Sequence, residues 1–211
     1  MSNEAMVNML EMYGYIRTRK VKEAFLKVDR ANYVPSKYKH LAYADEPLPV
    51  SHGQTISAPS MVAIMLELLK VEEGHKVLEI GTGSGYNACL LACLGAEVIT
   101  IERIPALRDI AKRNLEHCPC KDRIKVLLGD GSVGYPPEAP YDRIIVTCGA
   151  PRIPPPLLEQ LKVGGIMVIP VGGTFYQELV VVEKTEQGIK KTVWGDVVFV
   201  PLIGKYGHKW A

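Results

Sequence analysis

The chain has no apolar run approaching the ~20 residues that cross a bilayer, and its first residues, MSNEAMVNMLEMYG, carry no positive leader ahead of an apolar stretch. Neither insertion in a membrane nor export is expected, so the place of work is read as cytoplasmic. Charge of one sign is also missing: 25 Lys and Arg face 23 Asp and Glu. That is far from the basic excess of a protein that neutralises many phosphates, and a nucleic-acid partner is not expected. The basic stretch Arg17 to Lys22 falls in a helical pattern and reads as a solvated face. The five cysteines, Cys89, Cys93, Cys118, Cys120 and Cys148, include no C-x-x-C pair and no neighbouring histidine pair, so no metal is expected. They read instead as free thiols packing like small apolar groups in a reducing cytosol.

What is present suits one ordinary globular unit. A chain of 211 residues with 47% hydrophobic and 23% charged residues buries enough surface to fold alone. The reading is a single domain over 1–211, monomeric, with a helical cap and loop at 1–56 and a core at 57–211 that ends in a hairpin. Val21, Ala24, Phe25 and Val28 keep helical spacing, and Tyr43 to Val50, rich in proline, reads as a loop. A new helix is expected from Ser57, with Ser57 as N-cap, Pro59 in the first turn and Met61, Ile64, Met65 and Leu68 as its apolar stripe.

Beyond residue 74, short apolar runs alternate with longer amphipathic ones: Lys76 to Ile80, Tyr86 to Leu94, Glu97 to Glu102, Pro105 to His117, Ile124 to Leu128. Further strands are read at Tyr141 to Thr147 and Gly165 to Val171, with a helix through Leu157 to Leu161 between them. This predicts a doubly wound α/β fold around a mostly parallel sheet. The last segments, Gln177 to Lys184 and Lys190 to Val200, flank Gln187-Gly188 and read as an antiparallel hairpin.

The strand Lys76 to Ile80 runs directly into Gly81-Thr-Gly-Ser-Gly85. Glycines at this place allow a tight turn and let backbone N–H groups approach a ligand. A dinucleotide fingerprint needs glycine at position 86, where Tyr86 stands. The next strand ends in Glu102, a carboxylate able to accept from both hydroxyls of a ribose, and the third ends in Gly129-Asp130-Gly131, a second acceptor suited to an adenine amino group. A role for Glu102 and Asp130 as plain caps or turn residues stays open on this evidence alone.

The succession of loop, ribose acid and base acid resembles the class I S-adenosylmethionine-dependent methyltransferases. The resemblance implies that Gly81, Gly83, Ser84 and Gly85 approach the methionyl part of S-adenosyl-L-methionine, with Glu79 at the loop entrance, Glu102 at the ribose, and Asp130 with Gly131 at the adenine. So many carboxylates suit a sulfonium cation better than a phosphate-bearing nucleotide.

The stretch Gly53-Gln-Thr-Ile-Ser-Ala-Pro-Ser-Met-Val-Ala63 resembles the pre-sheet motif of the protein-L-isoaspartate O-methyltransferases. Similar matches follow at Val77 to Gly85, Gly129 to Gly131, Ala139 to Asp142, Gly164 to Gly172 and Phe199 to Leu202. The resemblance implies a seven-stranded sheet whose final two strands are exchanged relative to most class I methyltransferases. It also implies methyl esterification of the α-carboxylate of isoaspartyl residues in proteins and peptides. A carboxylate of ordinary pKa near ~4 is already ionised at neutral pH, so this chemistry asks for neither general base nor metal. By the same resemblance Ser57 orients the acceptor carboxylate, Thr55 and Ile56 touch the cofactor, Gln177 lies near its methionine end, and the backbone at Val200 and Leu202 pairs with an extended substrate. Ordinary strand packing at Val200 to Ile203 remains an alternative. Ser60 and Val62 stand where some relatives carry histidine, so a contact from such a side chain does not carry over to Val62. His52, beside the motif, reads as a structural loop residue. Two rivals remain at this point: a methyltransferase for a small molecule or RNA, and a nucleotide-binding protein without chemistry.

Overall fold

The computed structural model describes residues 1–209; Trp210 and Ala211, the end of the expected domain, lie outside the described residues. Helix α1 (Asn3–Met12) starts at Ser2, whose hydroxyl accepts the Ala5 amide at 3.1 Å, and it buries Met6, Val7 and Leu10. Helix α2 (Arg19–Lys27) buries Val21, Ala24 and Phe25. Two short 3-10 stretches, Arg30–Tyr33 and Ser36–Leu41, complete the cap. The cap shares one apolar cluster with α3 (Pro59–Leu69) and α4 (Tyr86–Cys93), and the Phe25 ring meets the Tyr86 ring edge-on at 6.3 Å.

The expected loop before Ser57 departs from expectation at its end. β1 (Leu48–Ser51) and β2 (Gln54–Ile56) form an antiparallel hairpin. Its two turn residues, His52 and Gly53, have φ of 52° and 72°, the paired left-handed conformation that a two-residue hairpin turn demands. A second correction concerns Ser57. Helix α3 begins at Pro59, and Ala58 occupies the cap position with no side-chain cap bond. Proline forces the residue before it out of the helical region, so Ala58 sits extended (φ −54°, ψ 144°) and the helix starts past the serine. The cap comes from a distance: Asp45 Oδ1 accepts the Ser60 amide at 2.9 Å.

The main sheet contains β3 (Lys76–Ile80), β4 (Glu97–Glu102), β5 (Ile124–Leu128), β6 (Tyr141–Val146), β7 (Leu161–Gly172), β8 (Gln177–Thr185) and β9 (Gly188–Val197) in the order β5-β4-β3-β6-β7-β8-β9. Pairing is parallel from β5 through β7, then antiparallel along β8 and β9. The seven strands and the terminal hairpin follow expectation, with the last strand at the edge. Alternation along β3 sends Val77 to the apolar cluster shared with the cap and Leu78 and Ile80 to a second cluster on the opposite face, with α6 (Pro155–Gln160) contributing Leu157 there. Strand order reverses at β3, between β4 and β6, which opens a crevice at the carboxyl ends of these strands.

The cysteines also depart from expectation. α5 (Pro105–Asn114) and the 3-10 turn after it return the chain to α4, so Cys89 and Cys118 meet with Cα atoms 5.8 Å apart and form a disulfide. Five free thiols are therefore corrected to three, Cys93, Cys120 and Cys148. Among the described residues no helix is long and apolar enough to cross a membrane.

Candidate active site

Strand β3 delivers Glu79 and Ile80 into the glycine loop, and hydrogen bonds within the chain tie down the backbone there. The amides of Gly81 and Thr82 donate to the Ile101 carbonyl at 2.9 and 3.3 Å. The Gly83 amide donates to Glu102 Oε1 at 3.0 Å, while Glu102 Oε2 accepts the Ile104 amide at 3.0 Å. Gly81 has φ of 94°, and a Cβ at this position would lie 2.8 Å from Thr147 Oγ1, so both conformation and space call for glycine. Gly83, at φ 56°, faces open space. Ser84 accepts the Tyr86 amide through its hydroxyl at 3.2 Å, and its carbonyl accepts Asn114 Nδ2 at 3.0 Å.

Glu79 is fully buried, with Thr100 Oγ1 donating to one carboxylate oxygen at 2.6 Å and Asn87 Nδ2 to the other at 2.8 Å. Burial pushes this carboxyl up to about 7, the two hydrogen bonds pull it down, and the neighbouring Glu102 charge pushes it up further.

One cavity gathers most of the expected site residues. Glu79, Gly81, Gly83, Ser84, Glu102 and Gly131 line it from the strand ends, Thr55, Ile56 and Ser57 from the β1–β2 hairpin and its exit, and Val200 and Leu202 from the C-terminal segment. Val62 lines it as an apolar wall. Thr147 and Cys148 also line it and were missed in the sequence. Their position just past the fourth parallel strand is the signal that could have found them, since ligands of open α/β sheets sit at strand carboxyl ends. Burial, with the Glu102 and Glu79 charges behind it, pushes the Cys148 thiol up, so it stays neutral. Asn87 was missed as well; nothing in a lone helical asparagine announces a partner eight residues back.

Three expected residues stand behind the cavity wall. Gly85 begins α4, and a Cβ on it would lie 3.1 Å from Leu115 Cγ. Asp130 spends its carboxylate on neighbouring segments: Oδ1 accepts the Ser132 amide at 2.9 Å and its hydroxyl at 2.6 Å, and Oδ2 accepts the Lys205 amide at 2.9 Å. Gln177 is buried and bridges two segments, accepting the Phe199 amide at 2.8 Å and donating to the Gly173 carbonyl at 2.8 Å. The backbone at 200–202 is partly committed too. The Val200 carbonyl accepts the Gly149 amide, the Leu202 amide donates to the Gly149 carbonyl, each at 2.8 Å, and the Leu202 carbonyl accepts the His208 amide at 2.7 Å. His52 lies in the exposed hairpin turn and does not line the cavity.

A family model described as Protein-L-isoaspartate(D-aspartate) O-methyltransferase matches residues 1–207. The chain belongs to this family. A protein-L-isoaspartate O-methyltransferase of Methanopyrus kandleri is 56% identical over 99% of this chain and 94% of its own length. Another, of Pyrococcus abyssi, is 57% identical over 96% of this chain and 95% of its own. A crystal structure of a beta-aspartate methyltransferase of Plasmodium falciparum in complex with S-adenosyl-L-homocysteine aligns with a TM-score of 0.85, at 27% identity, over 96% of this chain and 99% of that one. Likeness to protein-L-isoaspartate methyltransferases thus runs through the cap, hairpin, glycine loop and terminal strands, not through the glycine loop alone.

Proposed function

We propose that this chain transfers a methyl group from S-adenosyl-L-methionine to the α-carboxylate of L-isoaspartyl residues in damaged proteins and peptides, leaving S-adenosyl-L-homocysteine. The observation that carries the reading is the placement of Ser57 and the β1–β2 hairpin exit on the same cavity as the glycine loop and its two acids. A methyltransferase for a small molecule would share the loop and the acids but has no use for that hairpin exit.

The lining fits the cofactor. Glu79 and Glu102 supply negative charge, Gly83 leaves room beside its backbone, and Arg103 is the one cation among the described lining residues. A positively charged sulfonium and amino group are favoured over phosphate. When bound, S-adenosyl-L-methionine supplies an electrophilic methyl group. Glu102, anchored by two backbone amides, presents its remaining lone pairs to the ribose hydroxyls. Glu79 ionises against the cationic methionine end. Gly131 lies at the adenine end, with Asp130 holding its turn through Ser132 and Lys205. Gln177 acts at the methionine end by fixing the segment that leads to Val200.

The acceptor arrives already ionised, so the residues have only to align it. Ser57 donates its hydroxyl to the carboxylate and holds one oxygen on the line to the methyl group. Val200 and Leu202 flank an extended substrate main chain, and recognition through backbone groups tolerates varied side chains. The neighbouring backbone amide nitrogen then attacks the ester carbonyl spontaneously and expels methanol to close a succinimide, which water reopens in part to a normal aspartyl linkage. We read the whole chain, helical cap included, as one catalytic domain that works as a monomer in the cytoplasm, without nucleic acid.

The test is transfer of radiolabelled methyl to an isoaspartyl peptide and to its aspartyl twin, across several flanking sequences. The isoaspartyl peptides are all expected to be labelled and the twins hardly at all. Equal labelling of the twins, or label on bulk RNA instead, overturns the reading.

A further inference from the structure

A second cysteine pair lies beside the disulfide, away from the cavity. Cys89 and Cys93 are one helical turn apart on the same face of α4. Cys118 and Cys120 flank Pro119 in the turn after α5, where proline fixes the backbone between them. The chain turns there, the Cys118 carbonyl accepting the Lys121 amide at 3.3 Å, and sets Cys118 against Cys89 and Cys120 against Cys93, first cysteine to first and second to second. Cys93 Sγ donates its S–H to Cys120 Sγ at 3.1 Å.

We propose that Cys93 and Cys120 close a second disulfide alongside Cys89–Cys118, making a two-rung covalent ladder between α4 and the turn that follows α5. The arrangement is pairwise. The sulfurs of Cys89, Cys93 and Cys118 lie within 4.8 Å of one another, but that trio leaves out Cys120, whereas a tetrahedral metal would hold all four sulfurs alike at about 2.3 Å. The same crowding gives the second rung a purpose. A free Cys93 thiolate would stand within reach of both sulfurs of the first bridge and could exchange with it; bonding Cys93 to Cys120 removes the attacker.

Burial and the neighbouring Cys120 thiol push Cys93 up to about 12, so the Cys93 thiol stays protonated at neutral pH and the bond closes slowly. The oxidant required is a low-molecular-weight disulfide. One cysteine, as thiolate, attacks a sulfur of that disulfide and expels one thiol. The other gives its proton to solvent, attacks the protein sulfur of the mixed disulfide and expels the second. Two S–H bonds are lost, one S–S bond forms, and the oxidant is reduced to two thiols. The ladder braces the region where Asn114 holds the Ser84 carbonyl and Leu115 packs under Gly85.

The test equilibrates the full chain in a glutathione buffer poised to oxidise, quenches with acid, unfolds it, alkylates free thiols and reads the sites by peptide mass spectrometry. Cys148 alone is expected to be alkylated in the native sequence. Because Cys89 and Cys93 share a peptide, a Cys89→Ser/Cys118→Ser double variant is expected to retain a cross-link and again to leave only Cys148 alkylated. Alkylation of both Cys93 and Cys120 in the oxidised native chain overturns the proposal. So does equimolar zinc in the purified protein that protects all four thiols until a chelator is added. If the double variant does not fold, the thiol count of the native chain decides.

Discussion

Glu102 holds Gly83: the carboxylate at the end of β4 accepts the amide at the centre of the glycine loop at 3.0 Å. The residue read as the ribose acceptor is thus also a strut of the loop. Glu102→Ala removes both roles at once. Charge-assisted hydrogen bonds contribute on the order of 1.5–3 kcal/mol each, so cofactor affinity should fall by about ten-fold or more. Glu102→Gln keeps an acceptor oxygen for one amide but loses the charge, and should fall between the two. Calorimetric titration with S-adenosyl-L-homocysteine measures both; unchanged affinity in a folded Glu102→Ala protein would show that the ribose binds elsewhere.

If Glu79 faces the cationic methionine end as proposed, cofactor binding is expected to depend on pH. Its carboxyl sits at about 7 in the free fold, raised from an ordinary 4.5. A bound cation favours the ionised form, so binding releases a proton below pH 7 and affinity rises as pH climbs toward 7, then levels off. The fold responds with opposite sign. Between the ordinary carboxyl value and about 7 the native state keeps a proton that the unfolded chain has lost, so this group's contribution to stability is full below about 4.5 and declines as pH rises through 7. Glu79→Gln is expected to flatten both trends. Titrations in two buffers of different ionisation enthalpy, at pH 6 and pH 8, detect the released proton; its absence at pH 6 would place the cation away from Glu79.

Gly131 is where the third strand end meets the first. A Cβ on it would overlap Ile80 Cγ2, a β-branched side chain fixed in the core between the strands. Overpacking of this kind commonly costs about 1–3 kcal/mol, and in a chain of this size each kcal/mol lowers Tm by about 2–4 °C. Gly131→Ala should therefore melt earlier, and, because Gly131 lines the cavity, bind cofactor more weakly. A variant that melts with the native chain would mean that Ile80 yields at no cost.

These features differ in how far the sequence discloses them. Strands β3 to β6 and the β8–β9 hairpin are legible because each is a local pattern: an apolar run, a glycine turn, an alternation closed by Gln187-Gly188. The β1–β2 hairpin is not, because its strands have only four and three residues, one of them Pro49, and its turn is carried by a histidine with positive φ. The motif from Gly53 to Ala63 singles out Ser57, which lines the cavity, while the cap of α3 comes from Asp45, fifteen residues before Ser60. Asp130 reads as a free acceptor because its partner Lys205 lies 75 residues away, and Gln177 because Phe199 lies 22 away. Cys89 and Cys118 look unpaired for the same reason: only the return of α5 against α4 joins them. Local chemistry is readable residue by residue, and long-range closure is not.

That distinction sharpens the test of Ser57. A serine just before a proline-led helix invites the objection that alanine merely removes a cap. Here the cap position is Ala58, the Ser60 amide is held by Asp45, and α3 has no side-chain cap bond from its own cap residue. Ser57→Ala should therefore leave Tm nearly unchanged and leave affinity for S-adenosyl-L-homocysteine nearly intact, since the loop and Glu102 are untouched. The loss should appear in turnover. Removing an oxyanion-type donor costs about 10²–10³ in rate where charge develops in the transition state. The acceptor carboxylate instead loses charge as it is methylated, so part of that benefit is already present in the ground state and does not accelerate the step. A deficit of roughly 10–100-fold in single-turnover methylation at saturating cofactor is expected. Ser57→Thr, which keeps a hydroxyl, should recover part of it. Native speed in Ser57→Ala would remove this serine from the reaction, whereas a slow variant that also melts early would return it to a structural role.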